Sequence, residues 1–202
     1  MQVSIREERI EDWYDTEYVT KKAFWNLHFP GCSEHYLVHK LRQDSAYLPE
    51  FTRVAEVDGV IVGAIWYSKA HVHTEKEKIE IVTFGPLCVE PAFQKKGIGG
   101  MLLRETMELV KKAGYKAIII FGEPDYYPRH GFITCDHFGI TTKDGKNFDA
   151  FMGIELEKGA LAHAKGKFTE SEVFENLPPE EVDQYDKKFP YMEKLKLPGQ
   201  WS

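Results

Sequence analysis

One short stretch constrains this chain more than any other: Gln94-Lys95-Lys96-Gly97-Ile98-Gly99-Gly100. It lies between a segment that reads as a strand, 78–89, and one that reads as a helix, 97–113. In the helix Ile98, Leu102, Leu109 and Val110 keep near-3.6 spacing, and Gly114 stands where a C′ glycine belongs. Residues 115–121 then form an apolar run of the kind expected in a strand buried on both faces. Strand, helix and buried strand make one right-handed βαβ unit.

The glycines give the turn a chemical meaning. They let successive backbone N–H groups aim at one point without a Cβ in the way. The helix start adds unpaired donors and the positive end of a dipole, and Lys95 and Lys96 add charge at the rim. Together these describe an anion site suited to a pyrophosphate. A dinucleotide fingerprint is excluded, because the place of its third glycine is taken by Leu102, and no GxxxxGK[ST] string occurs. The competing account is a glycine-rich turn that binds nothing.

Upstream, Val3-Ser4-Ile5 reads as a short strand, 11–25 as a helix, and 34–43 as a second helix with Ser33 placed to cap it. Strands follow at 51–57 and 60–71, joined by Asp58-Gly59, a strong hairpin signal. A last strand is expected over 149–156. The fold class is therefore α/β, with a mixed central sheet: antiparallel in its N-terminal half, parallel at its centre, and flanked by helices.

At 202 residues the chain is expected to form one domain, 1–157, with an extension, 158–202. The extension is too rich in apolar side chains to be a free linker. It should pack on its own domain or across a two-fold axis in a homodimer, with 183–188 helical and Pro178-Pro179-Glu180-Glu181 as a helix start. An aromatic content of 13% excludes disorder as the main state, and a formal net charge of −6 makes a poor partner for nucleic acid or an anionic membrane. No apolar stretch is long enough to span a bilayer, and the first residues lack a signal-peptide core, so a cytoplasmic location is expected. Three widely spaced cysteines without a CxxC argue against disulfides and a cysteine zinc site. The pairs His35/His39 and His71/His73 lack a third ligand at a persuasive spacing, so no metal is expected.

The flanks decide between a ligand and a bare turn. Before the motif stands Phe84-Gly85-Pro86-Leu87-Cys88-Val89-Glu90-Pro91-Ala92-Phe93, and after the next strand Tyr126-Tyr127-Pro128-Arg129-His130-Gly131-Phe132. With these the chain resembles the GNAT superfamily of N-acetyltransferases, and within it a bacterial subgroup. The family's [QR]-x-x-G-x-[GA] is matched by Gln94, Gly97 and Gly99, its V-x-P by Val89 and Pro91, and its Y-x-x-x-G-F by Tyr127, Gly131 and Phe132. The resemblance covers about three quarters of the chain and leaves the extension outside.

The resemblance implies acetyl-CoA as donor, with its pyrophosphate on Gln94, Lys95, Lys96, Gly97, Ile98, Gly99 and Gly100. Its pantetheine would lie along Leu87, Cys88 and Val89. It also implies a central strand splayed from its neighbour, which explains how Pro86 is tolerated there. A backbone N–H near 87–89 would be the oxyanion donor, and Tyr127 the acid that protonates the leaving thiolate. The base is sought first at Glu80, on the strand leading to the acetyl site, then at Glu123, then in a water chain; Thr83 holds the position nearer the glutamate of some relatives. A carboxylate paired with Lys78 or a cross-strand partner is the plainer account of Glu80. Cys88 reads as strand packing rather than a nucleophile. Phe29 lies in the loop that lines the acceptor site in relatives. The expected activity is acetyl transfer to an amine, weakly favouring a cationic one. A non-catalytic acyl-CoA sensor and a transferase of another acyl chain are the alternatives.

Overall fold

A computed structural model describes residues 2–201, and the chain resolves into two compact units. The first takes in residues up to 66, 86–103 and 172 onward; the second takes in 67–85 and 104–171.

In the first unit, β1 (Val3–Glu7) pairs antiparallel with β2 (Arg53–Val57), and β2 with β3 (Val60–Thr74). Asp58 and Gly59 both have positive φ, 51° and 78°, so the β2–β3 hairpin closes through the expected primed turn. Two helices follow β1: α1 (Trp13–Phe24) and α2 (Glu34–Leu41). Ser33 stands at the α2 N-cap, but its hydroxyl makes no capping bond; its N–H donates instead to Glu34 Oε2 at 3.0 Å. Val19, Leu37, Val38, Leu41, Val54 and Trp66 form the core under these helices.

The second unit contains the parallel pair. β4 (Lys78–Val89) meets β5 (Ala117–Phe121) in register at Val82–Ile118. β5 pairs antiparallel with β8 (Phe151–Glu155), and β8 with β6 (Ile133–Thr134). β9 (Gly166–Thr169) pairs antiparallel with β3 and parallel with β7 (Ile140–Thr141). The core here is Val72, Ile81, Ala117, Ile119, Phe151 and Phe168. Strand order along the sheet is β1-β2-β3-β4-β5-β8-β6, a mixed sheet as expected. The connection from β4 to β5 is α3 (Ile98–Lys112). α3 ends in a paired-bond stop: Gly114 N–H donates to Lys111 C=O at 3.0 Å and Tyr115 N–H to Val110 C=O at 3.2 Å, with Gly114 at φ 96°.

The extension is divided between the units. Residues 158–171 carry β9 in the second, a strand absent from the expected elements. Residues 172–201 lie in the first, where α4 (Pro179–Asp186) begins at the proline pair with Glu180 and Glu181 in its first turn. The helix ends at Asp186, two residues short of expectation.

α4 docks through buried charges. Asp186 Oδ1 is 2.7 Å from Lys21 Nζ and 3.3 Å from His35 Nε2. Tyr185 Oη donates to Glu17 Oε2 at 2.7 Å, and the guanidinium of Arg42 bridges Glu17 and Glu8. Burying such charges costs several kcal/mol unless each is paired, and here each has a partner. Even so, burial pushes the Glu17 carboxyl up, against the bonds from Tyr185 and Arg42.

Beyond α4 the chain runs extended over the loop between α1 and α2. Lys21 Nζ donates to Pro190 C=O at 3.1 Å, Trp25 Nε1 to Glu193 C=O at 2.8 Å, and Trp201 N–H to His28 C=O at 2.7 Å.

Candidate active site

The end of β4 is shaped by a close approach. A Cβ on Gly63 of β3 would lie 2.8 Å from the Cys88 carbonyl oxygen, so the two backbones meet only because residue 63 has no side chain. Glu90 N–H donates to Val62 C=O at 2.8 Å, and Gln94 Nε2 to Val89 C=O at 3.0 Å. Cys88 is buried, with its sulfur 3.4 Å from Thr20 Oγ1, and burial pushes its thiol up to about 11. Such a thiol stays protonated and packs rather than attacks. Lys22 of α1 pairs with Glu90, so the second half of α1 lies against this end of β4.

The turn that follows is an alternation of hands. Lys95 sits at φ 60° and Gly97 at φ 84°. For Lys95, a non-glycine, this conformation is uncommon. Runs of this kind turn successive N–H groups inward into an anion-binding concavity. The first helical bond of α3 is Met101 N–H to Gly97 C=O at 3.0 Å, so the N–H groups of Ile98, Gly99 and Gly100 precede the ladder. Ile98 is buried and anchors the turn, while Gln94, Lys95, Lys96 and Gly97 are exposed. Lys96 folds back, its Nζ 2.9 Å from Ala92 C=O and 4.8 Å from the Phe93 ring centroid.

In the second unit the parallel pairing of β4 and β5 is confined to Val82–Ile118. Two residues on, Phe84 turns into an aromatic cluster, with ring centroids 5.7 Å from Tyr127, 6.1 Å from Phe132 and 5.3 Å from Tyr67. The short pairing is the splay expected of the central strands.

Tyr127 begins a 3-10 turn closed by Gly131 at φ 93°, and the Cδ2–Cε2 edge of its ring lies against Gly122. A Cβ on Gly122 would fall 2.3 Å from Tyr127 Cε2. The phenol is pushed well above its ordinary value by burial, then by Tyr126 and the Glu123 carboxylate. It is therefore a neutral donor at physiological pH.

The base candidates part company. Glu80 Oε2 lies 3.8 Å from His71 Nε2 across β3, with its side chain 47% exposed. It borders a groove of about 400 Å³ with Ile79, Gly114, Tyr115 and Leu161. It is four residues along β4 from Phe84, or about 13 Å at strand rise. Thr83 is buried. Glu123 is exposed; its main-chain carbonyl accepts from Tyr126 and Tyr127 N–H at 3.0 and 3.3 Å, and its charge acts on the Tyr127 phenol.

The histidine pairs have other partners. His35 Nδ1 is 3.4 Å from Cys32 Sγ, and His73 Nε2 is 2.9 Å from Thr169 Oγ1. Among the described residues no three His, Cys, Asp or Glu side chains cluster as a metal site, and no helix is long and apolar enough to cross a membrane.

Comparison with known proteins places this geometry. The model of the acetyltransferase (GNAT) domain matches residues 48–134. The uncharacterized N-acetyltransferase YjhQ of Escherichia coli K12 is 33% identical over 99 residues, 49% of this chain and 55% of that protein, so the match spans little more than half of the relative. YhbS, another uncharacterized N-acetyltransferase of the same strain, is 27% identical over 138 residues, 68% of this chain and 81% of its own. The crystal structure of E. coli YhbS in complex with CoA has a TM-score of 0.77 at 25% identity, covering 88% of this chain and 94% of that one. A GNAT family acetyltransferase from Brucella melitensis in complex with acetyl-CoA has a TM-score of 0.68 at 26% identity, covering 86% and 98%. With the motif residues in the conformations described, the chain is similar, over its matched residues and in its fold, to the GNAT superfamily of N-acetyltransferases.

Proposed function

We propose that the chain moves an acetyl group from acetyl-CoA directly to an amine. The observation that carries this reading is the left-handed Lys95 and Gly97 leading into the start of α3, a backbone shape made for a pyrophosphate. The CoA and acetyl-CoA complexes of two relatives support the same donor. In this reading Gln94, Lys95, Lys96, Gly97, Ile98, Gly99 and Gly100 hold the pyrophosphate. Leu87, Cys88 and Val89 offer main-chain groups to the pantetheine and the acetyl carbonyl.

The amine nitrogen attacks the carbonyl carbon; the N–C bond forms, the C–S bond breaks, and the electron pair leaves on sulfur. A main-chain N–H near Leu87, Cys88 and Val89 stabilises the oxygen as it gains charge. Tyr127 gives its proton to the thiolate. Its phenol is protonated at neutral pH, so it has a proton to give. The amine's proton is assigned to Glu123 through water, because Glu123 stands at the start of the turn that carries Tyr127, its carbonyl accepting from the Tyr127 N–H at 3.3 Å, whereas Glu80 lies about 13 Å along β4 from Phe84.

The test has two arms. Acetyl-CoA at one hundred times its Kd should stabilise the fold by about 2.7 kcal/mol. Gly99→Asp should abolish that shift, through like-charge repulsion at the turn. Free-thiol release from acetyl-CoA should then rise with at least one member of a panel containing a polyamine, an aminoglycoside and a lysine peptide. An undiminished shift in the variant sinks the donor assignment; binding without amine-dependent release makes the chain a sensor.

A further inference from the structure

The loop between α1 and α2 is held from outside by residues far along the chain. Asn26 is the centre of this arrangement. It sits at φ 58°, a left-handed conformation that asparagine tolerates better than most residues. Its N–H donates to Gly31 C=O at 2.9 Å, and its Oδ1 accepts from Gly31 N–H at 2.8 Å, closing the loop on itself. Among the described residues, its other bonds go to the strap, 190–201. Its Nδ2 donates to Glu193 C=O at 2.9 Å, its Oδ1 accepts from Leu195 N–H at 3.1 Å, and its C=O accepts from Gln200 Nε2 at 2.9 Å. Two further ties flank it. Trp25 donates to Glu193, and the Trp201 ring stacks on His28 with centroids 4.1 Å apart and 16° between planes.

This loop starts next to the reacting end of β4. Thr20 touches the Cys88 sulfur, Lys22 pairs with Glu90, and α1 ends at Phe24, immediately before Trp25 and Asn26. The fit is close: a Cβ on Gly31 would come within 3.1 Å of the Lys194 side chain.

We propose that the strap is a positioning element of the acetyl-transfer site, with Asn26 as its anchor. It holds the α1–α2 loop as a wall over the end of β4, excluding water from the thioester and leaving an opening for the amine. The proposal rests on the acetyl-transfer reading. Asn26 and Gln200 are positioning residues: neither touches acetyl-CoA in this account, and both act through the loop.

Two substitutions loosen the clamp without touching the core. Asn26→Gly keeps the left-handed backbone and removes the side-chain bonds to Gly31, Glu193 and Leu195. Gln200→Ala removes the tie to the Asn26 carbonyl from the surface of the strap. The probe is acetyl-CoA alone, with no amine, so that water is the acceptor. Amide hydrogen exchange over 26–31, measured with saturating acetyl-CoA, is expected to quicken about tenfold or more in both variants. Acceptor-free thiol release is expected to rise at least fivefold, as exclusion of water is lost. The thermal shift from acetyl-CoA should match that of the parent chain. Faster exchange with unchanged thiol release would reduce the strap to a structural tie and overturn the proposal, as would unchanged exchange. A parent chain that acetyl-CoA fails to stabilise would instead overturn the acetyl-transfer reading beneath it.

Discussion

Gly122→Ala is the sharpest test of how Tyr127 is held. Gly122 has no positive φ, so alanine suits the backbone, and the whole effect comes from one methyl group. That methyl would lie 2.3 and 2.5 Å from Tyr127 Cε2 and Cδ2, and 3.1 Å from Ile120 Cδ1. Carbon atoms rest at about 3.5–4.0 Å, so the ring has to retreat by more than 1 Å. It has little room to do so, with Phe84, Phe132 and Tyr126 centroids at 5.7, 5.6 and 5.0 Å. A displacement near 1 Å costs a positioned group about 10²-fold in rate, and overpacking costs about 1–3 kcal/mol of stability. We expect kcat to fall about 100-fold and Tm to drop by roughly 2–10 °C, with the acetyl-CoA shift retained. Tyr127→Phe alone should cost about 10²–10⁴ in kcat. In the Tyr127→Phe background, Gly122→Ala should lower stability again but leave kcat nearly unchanged, because the group it displaces is already gone. Amine-dependent thiol release on the four proteins of this cycle is the assay. Wild-type turnover in the alanine variant, or a further 100-fold loss in the double variant, would refute the reasoning.

Two other outcomes follow from the same structure. Glu80→Gln should leave kcat within about threefold of the parent, since Glu80 lies about 13 Å along β4 from Phe84 and its side chain is half exposed; a loss approaching the general-base range of about 10²–10⁴ would reinstate it as the base. Burial holds His35 down at about 4, against the pull of Asp186, so the unfolded chain takes up the proton first as pH falls below about 6.5. Stability should therefore decline between about pH 6.5 and 4, by up to roughly 2 kcal/mol by pH 5, and urea unfolding of His35→Gln should show a shallower slope across that window.

Much of the fold is legible because its decisive signals are local. Asp58-Gly59 can satisfy a primed turn and Gly114 a helix stop, and the conformations found there are the ones those residues favour. The turn at 94–100 is of the same kind: its backbone shape is one that the glycine spacing announces. What stayed hidden depends on distant partners. β9 is four residues long, Gly166-Lys167-Phe168-Thr169, too short for alternation to stand out, and it exists because β3 extends to Thr74 to receive it. Ser33 has the right chemistry for a cap, but the Glu34 carboxylate takes the N–H of Ser33 itself. A cross-strand neighbour for Glu80 is readable from sequence, but only the pairing of strands identifies it as His71. The importance of Gly122 appears only once the Tyr127 ring is seen lying against it.

The clamp on Asn26 also sets an order in time. Asn26 and Glu193 are 167 residues apart, and at about 5–20 residues per second a ribosome needs about 8–33 s to go from one to the other. Through that interval β1, α1, α2 and the β2–β3 hairpin can all emerge and pair, while Trp25, Asn26 and His28 still wait for the bonds that fix them. The nascent chain thus acquires its scaffold early and the fixed form of its α1–α2 loop last, so a molecule stalled in synthesis after the turn at 94–100 would already have the residues read as holding acetyl-CoA while still lacking the strap that ties down that loop.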